Sequence, residues 1–285
     1  MEETSKTNSE YQHREPTAAP VTTKPTPNDP PWGSLVALLF WILSVILITV
    51  VPVFLLVPYF GSAALSEMEG DQFQKAVLSD PSAVLLALGG TFGAHVVTII
   101  VGWAIVTRFS KYRFTEVLGW KWGGFKFWHG ALIFVGVYCF AIAMTLLLGT
   151  QDNEMQRILR SSRSAVIGVA LIATFSAPLV EEVVYRGVLY SAFQRTMGMP
   201  LAVASVTLVF ALVHVAQYYP DGATILSIVL LSLILTGLRA LTGNLLPCVV
   251  FHFVFNGFQS ILLLIQPYIP VTVDPTSVQS LHLLN

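Results

Sequence analysis

The chain has 285 residues, of which 54% are hydrophobic and only 11% charged. Soluble domains carry roughly 25% charged residues, and with a mean hydropathy of +0.71 the composition points to a polytopic membrane protein. A net charge of −1 leaves no basic excess for nucleic acid, and two well-separated cysteines, Cys139 and Cys248, imply no disulfide framework.

Residues 1–31 are polar and rich in Pro and Thr, without apolar periodicity, and read as a disordered tail. Seven apolar runs follow, at roughly 33–60, 82–107, 128–149, 164–195, 200–218, 222–241 and 245–267. Each approaches or exceeds the about 20 residues that a bilayer requires. The first starts too far from Met1, and is too long, for a cleaved signal sequence. Between the first two, residues 61–80 read as a surface helix or loop, with an eighth span as the alternative. The loop 108–128 mixes basic and aromatic residues, which suits a headgroup region. Residues 32–163 therefore form an N-terminal set of transmembrane helices. Residues 164–267 form a second set holding nearly all the deep polar groups, and 268–285 a C-terminal tail. The expected fold is all-α, a polytopic transmembrane helix bundle of about 7–8 spans. With the N-terminus inside, inner segments carry eleven Lys and Arg, counting Arg186, against four outside (Lys75, Arg157, Arg160, Arg163). The N-terminus is therefore expected to be cytoplasmic.

All six Asp residues fall in tails or loops, and of ten Glu only Glu181 and Glu182 lie within a span. A carboxylate at a helix centre costs ~2.5–3.5 kcal/mol on insertion scales, so these two require a reason. Glu182 and Arg186 are four residues apart and share a helix face, which makes them an expected ion pair. Glu181 is turned away from that face and is left as the reactive candidate. Pro178, just upstream, is expected to bend the helix and free a backbone carbonyl.

The histidines supply partners. His214 follows Phe210 at helical spacing in the fifth span. In the seventh, His252, Asn256 and Gln259 form a polar stripe among phenylalanines, which should face the bundle interior. His95 lacks such neighbours and reads as a helix–helix hydrogen bond. Counting rise from the turn at 196–200 puts Glu181 and His214 at one depth, roughly 21 Å in. His252, roughly 10 Å from Leu245, fits less well unless its helix starts deeper.

A carboxylate, two imidazoles and an amide would make an amide hydrolase. Glu181 would take a proton from water, and His252 and Asn256 would donate to an oxyanion. If a metal is present, Glu181, His214 and His252 would hold zinc with water in the open position. The sequence contains neither HExxH nor GxSxG, and with no Asp in a span it has no aspartyl dyad. A proton- or ion-coupled transporter, or a non-catalytic membrane scaffold, is the alternative function for the same residues.

The motifs EExxxR (Glu181, Glu182, Arg186), FxxxH (Phe210, His214) and HxxxN (His252, Asn256) occur in that order on hydrophobic segments. Together they resemble the CPBP family of intramembrane proteases, which includes type II CAAX prenyl proteases and bacteriocin-processing or Abi-type proteins. The resemblance spans roughly residues 164–265. It implies a helical membrane core with a catalytic cavity inside the bilayer, and a peptide or membrane-protein substrate. It further implies that Glu181 and His214 activate water, that His252 and Asn256 stabilise the oxyanion, and that Glu182, Arg186 and Phe210 support the site. It leaves open whether the cofactor is zinc or none.

Overall fold

The structure, a computed structural model, describes residues 24–62, 66, 68 and 71–268. Among them it is helical throughout, with no strand. Ten helices follow in order: α1 (Ser34–Phe60), α2 (Gln72–Ser79), α3 (Pro81–Thr107), α4 (Phe114–Leu118), α5 (Phe127–Leu148), α6 (Glu154–Ser161), α7 (Arg163–Met197), α8 (Met199–Tyr218), α9 (Gly222–Thr242) and α10 (Leu246–Ile265). Seven of these, α1, α3, α5 and α7 to α10, are long and apolar enough to cross a membrane. Their apolar outer faces, with Phe54, Leu132, Leu146 and Leu201 exposed, suit lipid rather than water. The chain is an integral multi-pass membrane protein. α2, within the 61–80 stretch, is eight residues long and too short to span.

Local chemistry fixes the helix ends. Asp80 caps α3, accepting from the Ser82 amide at 2.9 Å, with Pro81 in the first turn, where a missing N–H costs nothing. The Tyr59 hydroxyl donates to the same carboxylate at 2.6 Å, tying the end of α1 to the start of α3. α1 and α3 approach closely at Gly90, where a Cβ would meet the Pro52 Cα at 2.7 Å. α10 begins inside the bundle: Leu245 is fully buried, and its amide donates to the Gly119 carbonyl at 2.9 Å.

The expectation of a disordered tail over 1–31 needs correction for residues 24–31, while 1–23 lie outside the described residues. Residues 24–32 form a strap across the bundle end where α7 and α9 finish. The Trp32 indole donates to the Val188 carbonyl at 3.1 Å. Arg195 donates to the Pro30 and Trp32 carbonyls at 2.9 Å each, and the fully buried Arg239 donates to Asn28 Oδ1 and the Pro27 carbonyl. The prolines that suggested disorder leave their carbonyls free for these guanidinium groups, so the segment is ordered by tertiary contacts rather than by its own apolar pattern. Of the C-terminal tail, 269–285 lie outside the described residues.

The buried core wraps around α7. Val183, Val188 and Leu189 are fully buried, with Phe40 of α1 and Val206 and Phe210 of α8 against them. α7 is thus the central helix, and its Glu182 and Arg186 are held where lipid and water are both excluded.

Candidate active site

α7 is not uniformly α-helical. It contains two π-helical stretches, Ile172–Ser176 and Glu182–Leu189, with an α turn, Ala177–Glu181, between them. In the first, the Ala177 amide reaches back five residues to the Ile172 carbonyl. In the second, the Tyr190 amide reaches the Tyr185 carbonyl in the same way. Widened turns of this kind are rare and concentrate at functional sites. Here the second stretch carries Glu182 and Arg186, and every residue in it is buried.

Glu182 and Arg186 form the expected ion pair, Nη1 to Oε1 at 3.0 Å, with both side chains wholly buried. The guanidinium is saturated by α9: Nε donates to Thr236 Oγ1 at 3.2 Å and Nη2 to Ser232 Oγ at 2.8 Å and the Ser232 carbonyl at 3.1 Å. Its face lies 4.6 Å from the Phe210 ring centroid, a cation–π contact with α8. The carboxylate does a second job that the sequence did not reveal. Its Oε1 also accepts from His252 Nδ1 at 2.8 Å, so the buried charge orients that imidazole. Such a bond selects which ring nitrogen is left for chemistry, here Nε2.

Glu181 faces a different direction. Its side chain is 22% exposed, and its Oε2 lies 3.8 Å from His252 Nε2. It opens into a cavity of about 1090 Å³ whose walls also include His214, His252 and Asn256. The depth mismatch foreseen for His252 is absorbed by the start of α10 inside the bundle. His214 is held in its tautomer by an Nδ1–H to Phe210 carbonyl bond of 2.8 Å and stacks on the Phe210 ring at 4.4 Å. Its Nε2 is thereby the free atom. Asn256 donates through Nδ2 to the Ala173 carbonyl in the first π stretch at 2.9 Å.

The structure adds groups that the motifs did not contain. His95 makes the expected helix–helix bond, Nδ1 to Ser176 Oγ at 2.9 Å, yet it also lines the cavity that Glu181 borders. Tyr185 lines it too, its hydroxyl accepting from the Trp41 indole at 3.2 Å. Ser232 and Thr236 could have been found as a polar pair four residues apart on an apolar helix; His95 and Tyr185 offered no such signal.

Among the described residues, no three or more His, Cys, Asp and Glu side chains gather into a group that could hold a metal ion. The trio Glu181, His214 and His252 borders one cavity without forming such a group.

Residues 163–258 match the family model described as type II CAAX prenyl endopeptidase Rce1-like. This segment is similar to that family. It runs from the start of α7 into α10, about a third of the chain, and takes in every residue of the EExxxR, FxxxH and HxxxN motifs. The Rce1-like match supports an intramembrane endopeptidase of the CAAX type in general terms. No curated protein and no solved structure matches the chain.

Proposed function

We propose that the chain is an intramembrane endopeptidase in which Glu181 activates water against a peptide bond. The observation that carries this reading is the division of labour between adjacent carboxylates. Glu182 is neutralised by Arg186 and spent on orienting His252, whereas Glu181, paired with no Lys or Arg among the described residues, lies 3.8 Å from His252 Nε2 and opens into the shared cavity.

Glu181 takes a proton from a water molecule while the water oxygen bonds to the scissile carbonyl carbon. His214, whose Nε2 is free, accepts the water's other O–H and aligns it. The carbonyl oxygen becomes an oxyanion and accepts from the second amide N–H of Asn256, while His252, its Nδ1–H committed to Glu182, forms the adjoining wall. Glu181 then passes its proton to the leaving nitrogen as the C–N bond breaks, giving a free amine and a new carboxyl terminus. The substrate is a peptide or protein chain that reaches into the bilayer, of CAAX-tail or leader-peptide type.

The test is cleavage in lipid vesicles, using purified protein and membrane peptides recovered with Glu181→Gln as a trap. Wild-type protein is expected to cut peptides that the Gln variant binds and leaves whole. Peptide turnover surviving Glu181→Gln sinks the proposal, and ion-coupled flux with no cleavage would favour a transporter.

A further inference from the structure

Pro178 sits within the active-site helix, and the backbone around it explains how Asn256 is aimed. In the first π stretch the ladder runs five residues back, as the Ala177 amide to Ile172 carbonyl bond shows. The next rung in that register would run from residue 178 to the carbonyl of residue 173. Proline has no N–H, so that rung is missing. The vacated Ala173 carbonyl is the atom that Asn256 reaches from α10, Nδ2 to O at 2.9 Å. The place is crowded on the same face: a Cβ on Gly257 would meet the Thr174 methyl at 3.4 Å, so α10 is packed tightly against this turn.

We infer that Pro178 is a positioning residue for Asn256: by withholding a backbone donor it leaves the Ala173 carbonyl as a docking point for the asparagine amide. A primary amide is planar and carries two N–H donors. Fixing one on Ala173 sets the plane of the group and commits the other to the cavity that Asn256 lines. An amide held this way loses little freedom on meeting an oxyanion, which is what preorganised stabilisation requires. A kink alone would not need the side chain of another helix at the freed carbonyl.

The catalytic consequence rests on the endopeptidase reading, but the docking does not, and the experiment separates them. Pro178→Ala restores the N–H, which competes with Asn256 for the carbonyl. Thermal unfolding of the full chain in detergent is measured for wild type, Pro178→Ala, Asn256→Ala and the double variant. Asn256→Ala is expected to lower the melting temperature in the native background, where it leaves the half-buried Ala173 carbonyl without its partner, and to lower it much less in the Pro178→Ala background. Equal losses in both backgrounds overturn the inference. Where cleavage is measured, Pro178→Ala is expected to reduce kcat by about 10²-fold, the cost of a misplaced group, with KM close to wild type; an unchanged kcat, or a loss confined to KM, overturns it. A chain with no cleavage at all removes the endopeptidase reading and leaves the thermal cycle to decide the docking. If Pro178→Ala does not fold, Asn256→Asp serves: it keeps the shape but cannot donate when ionised, so it should melt below wild type, and wild-type melting overturns the docking.

Discussion

Replacing Arg186 with Met keeps an unbranched apolar stem of similar path but deletes the guanidinium, and the structure says what this costs. The Glu182 carboxylate stays wholly buried, loses its 3.0 Å ion pair, and retains only His252 on Oε1; its Oε2 already has no hydrogen-bond partner among the described residues. Removing one member of a buried pair costs about 3–5 kcal/mol. Ser232 and Thr236 lose little, because Thr236 Oγ1 still donates to the Ser232 carbonyl at 2.8 Å. At roughly 2–4 °C per kcal/mol for a chain of this size, Arg186→Met should melt about 6–20 °C below wild type. Thermal unfolding of detergent-solubilised protein, followed by fluorescence-detected size exclusion, reads this directly. A companion variant checks the cause. Glu182→Gln combined with Arg186→Met removes both charges and keeps an acceptor for His252, so it should melt higher than Arg186→Met alone. A single variant melting within about 3 °C of wild type, or a double variant no better than the single, would refute the charge argument.

Three further outcomes are expected. His214→Ala removes the water-aligning imidazole and should lower kcat by about 10²–10⁴-fold in a peptide-cleavage assay, while melting near wild type because the ring is only half-buried. Gly90→Ala should destabilise by about 1–3 kcal/mol, since its Cβ must push back the Pro52 backbone rather than a mobile side chain; thermal melting at wild-type temperature would show that α1 and α3 can separate freely. The hydrogen bond from Tyr59 holds the Asp80 carboxyl below the usual carboxylate range. Its folded value being depressed, the cap is fully present above the ordinary Asp pKa of about 3.9 and is lost as pH falls through the lowered folded value. Hydrogen exchange at residues 82–84 should therefore rise only in strong acid, and Tyr59→Phe should move that rise to higher pH.

The spans were legible because twenty apolar residues have few other uses, and their limits fall within two residues of the helix ends: 82–107 against Pro81–Thr107, 222–241 against Gly222–Thr242. The pairing of Glu182 with Arg186 was legible too, since a buried cation four residues away leaves a carboxylate little choice. The link from Glu182 to His252 was not, because it joins residues seventy apart through a π-helical turn. A π register is set by the tertiary bonds that compensate it, here from α9 and α10, and nothing local in "EEVVYRGVL" announces it. The strap was hidden for a related reason: prolines look disordered until the arginines that take their carbonyls are known, and those lie over seventy residues away.

That strap gives the bundle a floor. The cavity walls come from the membrane-spanning helices and from α2, α6 and the start of α9, and from neither the strap nor α4. Among the described residues, the chamber therefore extends to the α2 and α6 end of the bundle and not to the strap. Glu181 lies eighteen residues along α7 from Arg163, and His252 thirteen from Ile265 at the end of α10, so the two side chains stand roughly 20–27 Å from those helix ends. An extended chain covers about 3.3 Å per residue, so on the endopeptidase reading a peptide entering from that end inserts about six to eight residues before a bond reaches Glu181. On the endopeptidase reading, such a floor turns depth into a ruler, setting the length of the fragment removed rather than the residue at which the cut falls.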